Sequence, residues 1–170
     1  FTAFANPKQD LENLNREQKG IQKAFLDLDS KDLFKYITSI ETSLEDYFNF
    51  LQPYQNRIAI FHYGGHAGST GITLQDGHLS FEHLAEELVD RNKDSLVLVF
   101  LNGCATKAHV KTLFDLGVPL VLATEVPIED GTATLFANKF YENLSKGDTI
   151  LMAYQSASRF IKAKNSALNF

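Results

Sequence analysis

The chain holds one cysteine, Cys104, and five histidines, and the spacing of one histidine suits the cysteine. Cys104 follows the apolar run Leu96 to Leu101 and the pair Asn102-Gly103, and His66 follows the apolar run Ile58 to Tyr63 and the pair Gly64-Gly65. Both runs read as buried strands, so a thiol and an imidazole stand just past two strand ends. A thiol with an ordinary pKa near ~8.5 is mostly protonated at neutral pH, and a nearby imidazole lets it react as the thiolate. Such a pair attacks a carbonyl carbon and passes through an acyl-enzyme. Glycine before each reactive residue removes side chains that would keep a substrate backbone away. The backbone N–H groups of Ala67 and Cys104 sit where strand pairing ends and are candidates for an oxyanion hole. The plainer alternative for Cys104 is a small core residue at the end of a buried strand.

The other histidines divide by context. His62 and His66 are four apart, a zinc-ligand spacing on a helix. The apolar run before them and Gly64-Gly65 between them indicate a strand end instead, and no third ligand stands nearby in sequence, so no metal is expected. His62 is expected to be a buried structural residue, and His78 and His83 to lie at the surface or rim. His109, five residues after Cys104 on a short helix, is the rival base to His66. The glycines at 64, 65, 68 and 71 could also form a phosphate loop, but the Lys-Ser/Thr ending of a P-loop is missing and a hairpin is expected to follow.

The elements that must position these residues alternate between short apolar runs and helical stretches, the pattern of an α/β fold with a mostly parallel sheet. Strands are expected at Phe1 to Ala5, Phe34 to Ile40, Ile58 to Tyr63, Leu96 to Leu101 and Val118 to Ala123. Helices are expected from Asp10 to about Leu28, after Ser43, from Ser80 to about Val89, up to Leu116, from Asp130 to Gly147, and after Thr149. Ser43 with Asp46 reads as a capping box. Asp76-Gly77 between alternating apolar residues predicts a two-residue hairpin turn. In a parallel sheet the carboxyl ends of the strands form the ligand-binding edge, so the loops carrying His66, Cys104 and Glu125 would open together.

Composition bounds the rest. With 170 residues, 44% hydrophobic and 22% charged, the chain is expected to be one globular domain. A net charge of -5 argues against nucleic acid, which needs a basic face, and the apolar runs are too short to span a bilayer. A lone cysteine cannot form an internal disulfide, which makes the cytoplasm the default compartment. Phe1 is not an initiator methionine, and the chain is read as part of a longer protein.

Three segments in order resemble the CHAT family of caspase-like peptidases: IAIFHYGGHAG from Ile58, LVLVFLNGCAT from Leu96 and VPLVLATEVPIED from Val118. The hairpin Gly71 to Ser80 between the first two also fits. The resemblance implies a caspase-like fold, a mostly parallel sheet of about six strands sandwiched between helices, with a small hairpin after the histidine loop. It implies a dyad in which Cys104 is the nucleophile and His66 the general base and acid. Ala67 stands where the family usually has glycine. Asn102 stands where relatives line the pocket for the residue before the cut, and Glu125, Glu129 and Asp130 follow a strand end that also builds it. The alternative for Asp130 is a helix N-cap.

The leading expectation is therefore a cysteine endopeptidase needing no cofactor, acting on a protein partner or on itself. The resemblance adds a bacterial, intracellular signalling or defence role, with a sensor or repeat domain in the same or a partner chain. A second expectation is an inactive interaction domain of the same fold. A third is a nucleotide-binding flavodoxin-like or TIR-like domain using Gly64 to Gly71.

Overall fold

The computed structural model describes residues 1–103, 109–124 and 129–167, with side chains to residue 164. The chain forms two compact units, one from Phe1–Leu11 with Ile37–Ile128 and one from Glu12–Tyr36 with Glu129–Phe170.

The first unit is built on a parallel sheet. Its strands are β1 (Thr2–Ala5), β2 (Thr38–Ser39), β3 (Ile60–Gly65), β6 (Leu98–Asn102) and β7 (Leu120–Ala123), in the order β2-β1-β3-β6-β7. A separate antiparallel hairpin joins β4 (Gly71–Thr73) to β5 (His78–Ser80). Five strands, beside the six that the resemblance implies, make up the sheet among the described residues. The α/β class, the parallel sheet and the small hairpin after the histidine loop agree with a caspase-like fold.

Continuous apolar runs are what a strand buried on both faces requires. Phe61, Tyr63, Val99 and Leu101 face a core shared with Tyr47, Leu51, Leu84 and Leu88 from α2 (Leu44–Leu51) and α3 (Phe81–Asn92). The buried Tyr47 hydroxyl donates to the Leu84 carbonyl at 2.9 Å and ties the two helices together. On the opposite face, the His62 ring lies between Phe4 at 5.6 Å and Phe100 at 4.8 Å, fully buried as expected. Pairing aligns Ala5 with Gly65, Gly64 with Asn102, and Leu101 with Ala123. The carboxyl ends of β1, β3, β6 and β7 therefore open on one edge.

Several local expectations need correction. The run Phe34 to Ile40 contributes only the two-residue β2, because Phe34 and Tyr36 instead stack on Phe25 at 4.7 and 6.3 Å. The hairpin tip falls on Gln75-Asp76, one residue before the expected Asp76-Gly77, because the Leu74 N–H donates to the Gly77 carbonyl at 2.8 Å. Thr73 pairs with His78, Leu74 is buried, and the Asp76 carboxylate accepts from the Leu44 N–H at 2.8 Å, so the loop is held by core burial and by the start of α2. The strand near Val118 to Ala123 is a half-exposed edge, with Leu120 at 42% exposure. The capping box at Ser43 and Asp46 and the Ser80 cap of α3 form as expected.

The second unit contains α1 (Leu14–Ser30), α5 (Asp130–Ser145) and α6 (Ile150–Ala167). Ile21 and Phe25 of α1, Ala137, Phe140 and Tyr141 of α5, and Ala153 and Ala157 of α6 are buried. Gly20, a weak point in a helix by propensity, lies against Asn138, where a Cβ would collide with the amide. Asp130 is the first residue of α5 and not its N-cap, which is Glu129. Its carboxylate instead accepts from the backbone N–H and the side-chain amide of Asn13, at 2.8 and 3.0 Å, and so serves the start of α1.

Candidate active site

β3 ends in two glycines, and the second is required by space. A Cβ on Gly65 would collide with the Tyr63 hydroxyl and lie 2.6 Å from the Ala5 carbonyl oxygen. With that approach open, the Tyr63 hydroxyl sits 2.8 Å from the His66 carbonyl and 2.7 Å from the Thr73 carbonyl, to either of which it can donate. Burial pushes the Tyr63 phenol well above its ordinary value, so it remains a donor throughout the working pH range. The Thr73 N–H donates to the same His66 carbonyl at 2.8 Å. The backbone of His66 is thus fixed to the hairpin while its side chain stays accessible, at 26% exposure.

The imidazole meets a carboxylate. His66 Nε2 lies 2.6 Å from Asp10 Oδ1, on the loop that follows β1. That hydrogen bond to His66 is the largest of the influences that hold the Asp10 carboxyl below its usual range, with Lys8 adding a smaller pull the same way.

Ala67 forms an isolated antiparallel bridge with Ile72. The flanking bonds run from the Gly68 N–H to the Gly71 carbonyl at 3.0 Å and from the Thr73 N–H to the His66 carbonyl. This is the non-hydrogen-bonded type of pair, so the N–H of Ala67 faces away from Ile72. On that side lies the end of β6. An ideal Cβ built on Gly103 would be 2.7 Å from the Ala67 Cβ, 2.9 Å from the Gly65 carbonyl oxygen and 3.3 Å from the Ala67 nitrogen. The residue before Cys104 therefore packs directly on the residue after His66. The methyl group at position 67 finds room because position 103 has no side chain. Thr124, just past β7, donates its hydroxyl to the Gly103 carbonyl and anchors this strand end from the other side. Asn102 is buried beside Gly64 in the same sheet edge.

Cys104 and Glu125 lie outside the described residues. Asp130 and Glu129 lie in the second unit, and Glu129 is exposed, with the Thr132 hydroxyl 3.4 Å from its carboxylate. His109 precedes α4 (Val110–Asp115) and stacks on Phe81 at 3.7 Å. Burial holds its imidazole below the ordinary value, partly offset by the backbone of Gly68 and Ser69. His78 and His83 are surface residues, bonded to Thr70 at 3.1 Å and Ser80 at 2.9 Å. The glycines after β3 lead into β4 and spend the Gly68 N–H on a hairpin bond, so they do not open a helix N-terminus that would cradle a phosphate. No described helix is long and apolar enough to cross a membrane.

Sequence reasoning missed Asp10 and Thr124. The sequence pattern places Asp10 at the start of a helix, but α1 begins at Leu14 and Asp10 belongs to the β1 loop. The signal was the topology. A first strand paired with β3 must open its following loop on the His66 edge. Thr124 follows from the alignment of Leu101 with Ala123, which sets it near the end of β6.

No curated protein matches the chain. A family model, the CHAT domain, matches residues 13–167, which include both glycine-led strand ends and the hairpin between them. With the parallel sheet and the order of these segments, that match shows that the chain belongs to the CHAT family, a caspase-like and peptidase-related group.

Proposed function

We propose that this chain is a cysteine endopeptidase in which Cys104 is the nucleophile and His66 the general base and acid. The observation that carries the reading is the packing of Gly103 against Ala67, which ties the backbone before Cys104 to the backbone after His66. In this reading the thiol proton passes to His66, and Sγ attacks the peptide carbonyl. The Ala67 and Cys104 N–H groups receive the developing oxyanion. Collapse expels the amine, which takes the proton from His66, and water then hydrolyses the acyl-enzyme. Asn102 borders the substrate residue before the cut, with Glu125 as a further candidate for that pocket. The substrate is a protein segment, and a sensor or repeat domain would govern access. A reactive free thiol suits a reducing, cytoplasmic setting. Membership in the CHAT family supports the peptidase class.

The test is iodoacetamide alkylation of Cys104 as a function of pH, in wild type, His66→Ala and His109→Ala. An ordinary thiol is only about 0.3% thiolate at pH 6. Fast alkylation persisting below pH 7, lost in His66→Ala and kept in His109→Ala, is the expected result. An ordinary thiol titration in all three proteins would overturn the reading and favour an inactive interaction domain.

A further inference from the structure

We propose that Asp10 is a positioning residue for His66: its carboxylate holds the Nε2–H and leaves Nδ1 as the nitrogen that takes the thiol proton of Cys104. The inference rests on reading Cys104 and His66 as the reacting pair. It adds a third member that lies before residue 13, where the family match begins.

The argument starts from what each group can donate. A carboxylate only accepts, and a neutral imidazole has one donor nitrogen and one acceptor nitrogen. At 2.6 Å, Asp10 Oδ1 fixes the proton of the neutral ring on Nε2. The lone pair is then on Nδ1. When the Sγ proton moves to Nδ1, His66 becomes an imidazolium and Cys104 a thiolate, and the Asp10 carboxylate faces the new positive charge through the bond it already makes. No further group is needed to balance the transfer.

The loop is built to present Asp10. The Asn6 side chain closes it twice, donating from Nδ2 to the Leu11 carbonyl at 3.2 Å and accepting the Leu11 N–H on Oδ1 at 3.4 Å. The Gln9 N–H donates to the Asn6 carbonyl at 3.0 Å, and Gln9 has a φ of 56°, a left-handed conformation that non-glycine residues seldom adopt. A five-residue bend held in this way, directly after β1, turns Asp10 back toward β3. Backbone strain kept beside a polar pair of this kind clusters at functional sites. Asp10 is 52% exposed at its side chain, so replacing it removes no packing that the core needs.

The test is a cycle of alkylation rates at neutral pH in the full chain, with wild type, Asp10→Asn, His66→Ala and the double variant. General-base assistance is worth roughly 10²–10⁴-fold, so His66→Ala sets the ceiling. Asp10→Asn is expected to slow alkylation about tenfold, within the ceiling that general-base assistance sets. The same substitution is expected to change nothing in the His66→Ala background. Asp10→Glu should recover part of the rate. NMR titration of the Asp10 carboxyl supplies a readout independent of Cys104: it should titrate below the ordinary range in wild type and rise toward it in His66→Ala. If His66→Ala slows the reaction but Asp10→Asn does not, or if Asp10→Asn slows it equally in both backgrounds, the role of Asp10 is overturned while the dyad stands. If His66→Ala itself leaves the rate unchanged, the dyad has failed and the role of Asp10 falls with it.

Discussion

Replacing Gly103 by alanine is the sharpest perturbation of this site. The added methyl would stand 2.7 Å from the Ala67 Cβ and 2.9 Å from the Gly65 carbonyl oxygen. Ordinary carbon contacts lie at about 3.5–4.0 Å, so the β6 end and the histidine loop must part by about 1 Å. Neither neighbour is a flexible side-chain end. One is a methyl on a bridged backbone and the other is a strand carbonyl, so the displacement is carried by the main chain on both sides. Overpacking of this kind costs about 1–3 kcal/mol, which for a chain of this size lowers Tm by roughly 2–12 °C. Misplacing reacting groups by about 1 Å can cost roughly 10²-fold in rate. The assays are thermal unfolding followed by circular dichroism and the alkylation rate of Cys104 at pH 6 in protein that is still folded. Gly68→Ala is the internal control, because no atom lies within 4 Å of a Cβ there, and it should change stability by less than about 0.5 kcal/mol. A Gly103→Ala protein with unchanged Tm and unchanged reactivity would refute the close approach on which the site is argued.

Two further expectations concern the frame around the site. Asn92 is fully buried, accepting the Ile58 N–H at 3.2 Å and donating to the Leu88 carbonyl at 3.1 Å. Asn92→Leu strands the Ile58 N–H just before β3 and should cost about 1–3 kcal/mol in urea unfolding, and an unshifted midpoint would count against that assignment. The Asp46 carboxylate accepts from the Ser43 hydroxyl and N–H at 2.7 and 3.0 Å, and these bonds hold its carboxyl below the usual range. Because the folded value is the lower one, the stabilisation is complete above the unfolded value near ~3.9 and is lost as pH falls through the folded value. Ser43→Ala should cost about 1 kcal/mol at neutral pH, and the stability gap between wild type and Asp46→Asn should close on acidification below about pH 4. A gap that stays constant with pH would exclude the charged cap.

The sequence revealed most where burial leaves few options. β3 and β6 were legible because a strand covered on both faces must be apolar throughout, and the capping box was legible because its hydrogen bonds need Ser43 and Asp46 three apart. The strand expected at Phe34 to Ile40 failed because aromatic alternation has the same look whether the rings face a sheet or stack on a helix, as Phe34 and Tyr36 do on Phe25. The hairpin tip fell one residue early, on Gln75-Asp76, where Leu74 is buried and pairs with Gly77 while Asp76 accepts the Leu44 N–H. In the candidate site, the placement of His66 and Ala67 just past β3 was legible from the glycines that end the strand. Asp10 was not, since an exposed acid in a polar stretch looks like any other until register places β1 beside β3.

The second unit is discontinuous in sequence, with its halves separated by residues 37–128. Synthesis therefore delivers α1 long before its partners. At about 5–20 residues per second, the 92 intervening residues take roughly 5–20 s. During that interval α1 lacks α5, whose Tyr141 later packs on Phe25, and an isolated helix of 17 residues is marginal in water. Every described strand of the sheet, by contrast, has been made once Ala123 has left the ribosome. The order of translation lets the sheet close first, and leaves the apolar face of α1 uncovered until α5 arrives.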